Sequence, residues 1–367
     1  MNKSENETTV FSPKSPGDIL IIAGPCSAEN EQQVLSTAEE LTKCKKVKIF
    51  RAGIWKPRTE PGNFEGVGEK GIDWLRKVKQ KTELLTATET ATPEHIEICL
   101  KNRDAVDIIW IGARTTSNPF SIQSIADALK GCDIPVMIKN PLNPDLKLWA
   151  GAVERLLKSG IKNIAVIHRG FYPFQKTNLR NVPKWELAIE MKSRYPEIPI
   201  INDPSHIAGS TEYIREIAQK ALNLNFDGLM IETHISPEMA LSDAKQQITP
   251  QALISLLKGL KIRTSSSGNA EFLSKLEQYR EQIDSLDFQL LELLHKRMKI
   301  VEDIGEYKAK NNVSIFQLKR WLDITITRKE FGKQIDLDPK FTERLLQLVH
   351  RESIRLQSEI MNKNKTK

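Results

Sequence analysis

Four residues of this sequence have the chemistry of a metal-binding set. Cys26 follows a short apolar run that ends in a Gly-Pro pair, so the thiol lies where a predicted strand has stopped. His206 follows a later predicted strand, Glu232 ends another, and Asp243 lies in the loop beyond it. Each alone would more often be a cap or a surface group. Together, one sulfur, one nitrogen and two oxygen donors predict one divalent metal of the manganese, iron, cobalt or zinc type, whose identity the ligands do not specify.

A second set of residues near the ends of predicted strands is entirely cationic. Its members are Arg51, Lys56, Arg58, Arg114, Lys139 and Arg169. They could form ordinary salt bridges on a solvated rim. Converging cations repel each other unless anions neutralise them, however, and arginine binds phosphate and carboxylate through paired hydrogen bonds. We therefore expect one or two substrates that carry several negative charges.

The elements that position these residues alternate between strand-like and helix-like segments. The predicted strands cover residues 18–23, 47–51, 84–88, 107–112, 135–139, 163–168, 199–202 and 228–232. Amphipathic segments follow each of them, for instance one at 93–102 with Thr92 as its N-cap. Eight such repeats are typical of a (β/α)8 barrel, in which catalytic groups lie at the C-terminal ends of the strands. The sequence predicts this α/β fold, a TIM barrel, over residues 1–262.

The chain changes character after residue 262. A polar connector, 263–270, leads into residues 271–310, where apolar residues recur at helical spacing. Such a helix is about 60 Å long, more than one small domain can cover, so we expect it to need a partner helix, which a second chain could supply. Further helices are predicted near 318–331 and from Asp338-Pro339 to about 361. These three helices form a predicted all-α domain over residues 271–367.

Charge and cysteine content narrow the class of function. The net charge of +7 comes from 54 basic and 47 acidic residues, interspersed and without the basic block of a nucleic-acid surface. The sequence has four irregularly spaced cysteines, a polar start and no apolar run of transmembrane length. We expect a cytoplasmic enzyme with neither nucleic acid nor membrane as a partner.

Motifs of the predicted barrel resemble type I 3-deoxy-D-arabino-heptulosonate 7-phosphate (DAHP) synthase. They are Gly-Pro-Cys-Ser at 24–27, Lys-Pro-Arg-Thr at 56–59, Ile-Gly-Ala-Arg at 111–114, Asp-Pro-Ser-His at 203–206, Ile-Glu-Thr-His at 231–234 and Leu-Ser-Asp at 241–243. The resemblance implies condensation of phosphoenolpyruvate with erythrose 4-phosphate, using one divalent metal. A related synthase, which makes an eight-carbon sugar acid phosphate, typically has Lys-Ala-Asn-Arg in the second motif and is the weaker choice.

The same resemblance implies roles for individual residues. Cys26, His206, Glu232 and Asp243 hold the metal. The residues around phosphoenolpyruvate are Arg51, Lys56, Arg114, Lys139 and Arg169, and those for the sugar phosphate are Arg58 and Thr59. Lys56 and Lys139 are the candidates for proton handling, although the sequence does not separate proton transfer from charge neutralisation.

The helical region resembles the all-helical chorismate mutase, which forms an intertwined dimer. The matching segments are 280–287, 295–297, 305–308, 317–320 and 352–357. Spacing alone favours surface cations at Arg280, Arg297 and Lys308. On one helix Arg280 lies about 42 Å from Lys308, so a shared site needs Arg280 from a second chain.

By this resemblance, the two carboxylates of chorismate are bound by Arg297 and by the partner's Arg280. Lys308 and Gln357, from the same chain as Arg297, donate to the ether oxygen. The residues that complete the pocket are Gln317, Arg320 and Ser353. Trp321 departs from the family, because relatives often carry a glutamate there that contacts the substrate hydroxyl. Recognition of that hydroxyl is left open, although Gln317 could bond to it.

The leading interpretation is a bifunctional homodimeric enzyme of aromatic amino-acid biosynthesis. Only about 17 residues precede the first predicted strand, so we expect feedback control by prephenate or chorismate to come from the helical domain. The alternative keeps the synthase and makes the helical domain a catalytically silent ligand sensor. A third interpretation, a helical tail that binds nucleic acid, is disfavoured by the lack of a basic block or interleaved aromatics.

Overall fold

The computed structural model describes residues 9–12, 17–58, 62–264 and 267–363. The chain divides into two compact units, Met1–Ser265 and Ser266–Lys367. Within the part that the structure describes, no helix combines the length and apolar character that crossing a membrane requires.

The first unit is built on a closed barrel of eight parallel strands. They are β1 (Leu20–Gly24), β2 (Val47–Arg51), β3 (Leu85–Thr90), β4 (Ile108–Ile111), β5 (Val136–Lys139), β6 (Ile164–His168), β7 (Ile200–Asn202) and β8 (Gly228–Glu232). Each strand pairs with the next along the chain, and β8 pairs with β1 over five residue pairs from Leu20–Gly228 to Gly24–Glu232. The predicted (β/α)8 barrel is confirmed.

Helices connect the strands and surround the barrel. They are α1 (Glu31–Thr42), α2 (Lys70–Lys81), α3 (Pro93–Lys101), α4 (Ala113–Thr116), α5 (Pro119–Ala128), α6 (Leu146–Lys158), α7 (Trp185–Arg194), α8 (Pro204–Ala208), α9 (Ile214–Asn223) and α10 (Pro250–Gly259). Two short 3-10 helices, Pro237–Met239 and Ala244–Gln246, lie in the loop after β8. Thr92 caps α3 by accepting a hydrogen bond from the His95 amide, as predicted.

The inside of the barrel is filled with side chains. Ile22, Ile49, Trp110 and Met137 belong to this inner cluster, and Phe11, which precedes β1, packs into it and is fully buried. A larger apolar layer separates the strands from the helices. Because the interior is packed, the groups that meet substrate must lie at its rim.

The second unit consists of α11 (Ala270–Lys310), α12 (Leu318–Gln334) and α13 (Pro339–Lys363). Asp338 caps α13 by accepting a hydrogen bond from the Phe341 amide at 2.7 Å. A Cβ at Gly305 would lie 3.1 Å from Ile360 Cδ1 and 3.2 Å from Gln357 Cγ, so this glycine allows α11 and α13 to pack closely. The predicted three helices are confirmed.

A row of apolar side chains on α11 is exposed in the single chain. It comprises Ile283, Leu286, Leu290, Leu293, Ile300 and Ile304. Their alternating steps of three and four residues, with Arg297 in the step between Leu293 and Ile300, are those of a helix that packs along another helix. We call this row the α11 seam.

Candidate active sites

The four predicted metal donors converge at the C-terminal end of the barrel. Cys26 follows β1, and its Sγ, a Glu232 carboxylate oxygen and an Asp243 carboxylate oxygen all lie within 4.8 Å of one another. His206, on α8 after β7, places Nε2 3.6 Å from Glu232 Oε1 and 3.9 Å from Asp243 Oδ2. We call these four residues the donor cluster.

The chemistry of the donor cluster fits a cation. Glu232 Oε1 is buried and accepts no hydrogen bond within the described structure. Burial, reinforced by the Glu232 carboxylate, raises the pKa of Cys26 to about 12. Burial also acts to raise the pKa of Asp243, but His206 and Arg180 outweigh it and the net shift is downward. At neutral pH the cluster therefore offers two carboxylates and a thiol that needs a bound cation before it ionises.

Residues outside the predicted set orient the donors. Gln246 donates from Nε2 to Glu232 Oε2 at 2.6 Å, and its Oε1 accepts from Arg180 Nη1 at 2.7 Å. Arg180 Nη1 also lies 3.0 Å from Asp243 Oδ1. Asp203 Oδ1 accepts from the His206 amide at 3.1 Å, and Asp203 Oδ2 lies 2.8 Å from His206 Nδ1. Gln246 and Arg180 were missed because a glutamine and an arginine in polar loops carry no signal of their own.

Gln246→Leu is expected to weaken binding of Mn²⁺ about 10- to 100-fold, because the leucine cannot hold Glu232 in its orientation. Titration calorimetry of the metal-free chain measures this affinity directly. Gln251→Leu, at an exposed glutamine on α10, is the matched control. Equal affinity in the two variants would show that the amide of Gln246 does not position Glu232.

Four of the predicted cations are buried around the donor cluster. Arg51 is 0% exposed, its Nη2 donates to the Cys26 carbonyl at 3.1 Å, and the same atom lies 3.2 Å from Glu232 Oε1. Its Nε and Nη1 make no hydrogen bond within the described structure. Lys56 lies 3.4 Å from Glu89, and Lys139 lies 3.0 Å from Asp203. Buried donors left without partners indicate a place for an anion.

Arg169 follows β6 and is also buried. Its Nη1 donates to Asn181 Oδ1 at 2.9 Å, while Asn181 Nδ2 donates to the His206 carbonyl at 2.6 Å. Burial lowers the pKa of Arg169 to about 10, so it stays charged at neutral pH. Arg114, exposed at the start of α4, adds to that lowering and therefore lies within electrostatic reach of Arg169.

One of the two remaining predicted residues, Arg58, lies in the loop after β2. Arg58 is partly buried and donates from Nε to the Phe64 carbonyl at 2.9 Å. Thr59 lies outside the described residues. The structure thus brings the donor cluster together with Arg51, Lys56, Lys139 and Arg169.

The pKa values of the two buried lysines shift in opposite directions. Burial acts to lower the pKa of both. For Lys56, Cys26 and Glu89 outweigh burial and the pKa is raised. For Lys139, burial prevails over the attraction of Asp203 and the pKa is lowered. Lys139 therefore releases its proton more readily than Lys56.

In the helical unit, the structure brings together Arg297, Ser353 and Gln357, which we call the Arg297 cluster. Arg297 Nη1 donates to Ser353 Oγ at 2.8 Å, and Gln357 Nε2 donates to the Ser353 carbonyl at 3.3 Å. Gln357 Oε1 is buried and has no partner within the described residues. Lys308, one turn after Gly305, donates to the Ile315 carbonyl at 2.6 Å.

The other predicted residues of the helical unit lie outside this cluster. Gln317 and Arg320, at the start of α12, are exposed, and Arg320 pairs with Asp323 at 2.8 Å. Arg280 is exposed and pairs with Glu277 at 3.3 Å. Because α11 is one continuous helix, Arg280 lies about 26 Å from Arg297 along it. One chain alone cannot bring these two arginines to the same ligand.

Metal donors and buried cations at the C-terminal end of a (β/α)8 barrel define an enzyme that acts on small anionic substrates. The chain belongs to the DAHP synthetase I family, whose family model matches residues 14–266. Residues 279–358 match the family model of chorismate mutase type II. The resemblance seen in the sequence motifs is confirmed. The chain is a bifunctional enzyme of the aromatic amino-acid pathway, with transferase and isomerase domains.

The chain is also similar to individual relatives and to a solved structure. A phospho-2-dehydro-3-deoxyheptonate aldolase of Thermotoga maritima is 32% identical over 245 residues, covering 67% of this chain and 70% of the relative. A 2-dehydro-3-deoxyphosphooctonate aldolase of Geotalea uraniireducens is 30% identical over 275 residues, covering 70% and 96%. The crystal structure of the Thermotoga maritima DAHP synthase matches with a TM-score of 0.58 at 30% identity, covering 67% of this chain and 72% of that chain.

Proposed function

We propose that the barrel condenses phosphoenolpyruvate with erythrose 4-phosphate and depends on one divalent metal held by Cys26, His206, Glu232 and Asp243. The observation that carries this proposal is the convergence of Glu232 Oε1, which accepts no hydrogen bond within the described residues, with a thiol, a carboxylate and an imidazole beside buried cations. When bound, the metal supplies a Lewis acid for the aldehyde carbonyl of erythrose 4-phosphate.

The cations of the barrel bind and orient the two phosphates. Arg51, Lys56, Arg114, Lys139 and Arg169 hold phosphoenolpyruvate, and Arg58 with Thr59 holds the sugar phosphate. With the substrates fixed, C3 of the enol phosphate attacks the aldehyde carbon, water adds at C2, and inorganic phosphate leaves. Lys139 handles the proton of that water, since its lowered pKa suits proton transfer, and Lys56 neutralises charge.

The choice of sugar phosphate depends on the loop after β2. Relatives with about 30% identity include enzymes named for an eight-carbon product, which needs a five-carbon aldose phosphate as partner for the three-carbon phosphoenolpyruvate. The Lys-Pro-Arg-Thr segment at 56–59 supports erythrose 4-phosphate. Comparing kcat/KM for four- and five-carbon aldose phosphates tests this, and a preference for five carbons would reverse the assignment.

For the helical unit we propose an intertwined dimer that rearranges chorismate to prephenate. The exposed α11 seam supports packing of α11 against a helix of a second chain. Arg280 pairs only with Glu277 among the described ion pairs and lies about 26 Å from Arg297 along α11, which supports its contribution to the partner's site. Arg297 of one chain and the partner's Arg280 bind the carboxylates. Lys308 and Gln357, from the same chain as Arg297, donate to the ether oxygen. Gln317, Arg320 and Ser353 complete the site. Holding the compact diaxial conformer and stabilising charge on the ether oxygen need neither nucleophile nor general acid.

We assign residues 1–262 to the synthase, 263–270 to a linker and 271–367 to the mutase. The two compact units and the two family matches support this division. The four cysteines are unpaired, which supports a location in the reducing cytoplasm.

The alternative, a silent sensor in place of a mutase, fails if the native chain converts chorismate and Lys308→Ala does not.

Prephenate is expected to slow phosphoenolpyruvate consumption by the native chain, because the fusion makes the helical unit the proposed site of feedback control. Arg297→Ala removes a carboxylate partner, so prephenate should no longer slow this variant. Arg328→Ala, at an exposed arginine on α12, should behave as native. Equal inhibition of Arg297→Ala would place the sensor elsewhere, and no inhibition of the native chain would remove the regulatory proposal.

A further inference from the structure

Trp321 occupies the place where relatives of the helical domain often carry a glutamate for the substrate hydroxyl. The structure shows what the indole contacts instead. Its ring stacks on the imidazole of His350, with centroids 4.0 Å apart and an interplanar angle of 17°. The Phe316 ring is tilted by 57° against the same imidazole, with centroids 6.0 Å apart. The His350 ring is therefore held in place by two aromatic neighbours.

His350 lies beside the Arg297 cluster. It precedes Ser353 by three residues and Gln357 by seven on α13, so all three side chains share one face of that helix. Burial lowers the pKa of His350, and the nearby positive charge of Arg297 lowers it further. At neutral pH the ring is thus uncharged, with one nitrogen that donates and one that accepts.

One nitrogen of this ring is left without a partner. His350 Nε2 is buried and makes no hydrogen bond within the described part of the chain. Buried polar atoms in native proteins are normally paired, so an unpaired one beside a binding site indicates a ligand atom. A neutral imidazole can bond to an alcohol in either direction, as donor or as acceptor.

We propose that His350 forms the hydrogen bond to the ring hydroxyl of the substrate and that Trp321 positions the imidazole by stacking. The inference rests on the proposed mutase activity of this unit. Gln317, the other residue that could reach the hydroxyl, is exposed and caps no amide of α12, whereas the free nitrogen of His350 is already buried. The carboxylate of the relatives is replaced here by an aromatic pair.

The test compares chorismate with an analogue in which hydrogen replaces the ring hydroxyl, using the full chain. The native enzyme should prefer chorismate. His350→Leu should lower kcat/KM for chorismate about 10- to 100-fold and leave kcat/KM for the analogue nearly unchanged, because only the hydroxyl contact is lost. His350→Gln, which keeps a donor and an acceptor, should restore part of the preference.

Four further variants separate the roles of Trp321, His350 and Gln317. Trp321→Phe keeps a stacking ring and should retain the preference, whereas Trp321→Leu should lose part of it. Trp321→Glu combined with His350→Leu reintroduces a carboxylate, so this double variant should regain the preference for chorismate over the analogue. Gln317→Ala should leave the ratio between the two substrates unchanged.

Several outcomes would overturn the proposal. If His350→Leu lowered kcat/KM equally for chorismate and for the analogue, the residue would only support the fold. A lost helical signal of this variant in circular dichroism would mean the same. Loss of the preference in Gln317→Ala, but not in His350→Leu, would assign the hydroxyl to Gln317. If the native chain turned over neither compound, the mutase proposal itself would fail. Calorimetry with prephenate, which keeps the hydroxyl, would then decide whether His350→Leu weakens binding.

Discussion

Cys26→Ala is expected to lower the DAHP synthase activity at least about 10³-fold while the same sample converts chorismate at the native rate. A thousandfold loss corresponds to about 4 kcal/mol of transition-state stabilisation, within the several kcal/mol that a bound metal contributes. Cys26 Sγ lies 3.3 Å from Asp243 Oδ2 within the donor cluster, so its removal takes away the one sulfur donor of that cluster. The two activities are measured by consumption of phosphoenolpyruvate and of chorismate.

The second activity serves as an internal check on the concentration and integrity of the helical unit. Cys132→Ala, at a partly buried cysteine away from the site, is the matched control for loss of a thiol from the barrel. Dialysis against a chelator should reproduce the loss in the native chain, and added Mn²⁺ should reverse it. Full synthase activity in metal-free Cys26→Ala would remove the metal from the proposed function.

A mixed dimer of Arg280→Ala and Lys308→Ala chains is expected to have about half the native chorismate mutase activity, although each variant alone is nearly inactive. Removing one donor to the transition state costs about 10²- to 10³-fold. In the proposed dimer, each site combines Arg280 of one chain with Lys308 of the other. One site of the mixed dimer then has both lesions, and the other has none.

Co-expression with two different affinity tags, followed by purification on both, isolates the mixed dimer for this measurement. The control pairs Arg297→Ala with Lys308→Ala. Both residues belong to the same chain at each site, so both sites of this mixed dimer are damaged and activity should stay near zero. Two results would contradict a site built from Arg280 of one chain and Lys308 of the other. One is substantial mutase activity in the control dimer, and the other is no activity in the dimer of Arg280→Ala with Lys308→Ala.

The main elements of both units could be predicted from local patterns. Short, continuous apolar runs identified the eight strands, and helical spacing identified α11, which extends from Ala270 to Lys310. Strand limits shifted by a few residues, as in β3, predicted at 84–88 and found at Leu85–Thr90, because pairing with β4 extends it. Caps such as Thr92 and Asp338 were predictable since the capping hydrogen bond spans only three residues.

The convergence of Cys26, His206, Glu232 and Asp243 also followed from the sequence, because a parallel barrel brings all strand C-termini to one rim. What the sequence by itself determined was therefore the barrel, the three helices and the residue types available for chemistry. Only the tertiary structure decided that Gln246 orients Glu232 and that Trp321 stacks on His350. These contacts join residues 14 and 29 positions apart whose side chains carry no periodic signal, so only the folded packing determines which of them meet.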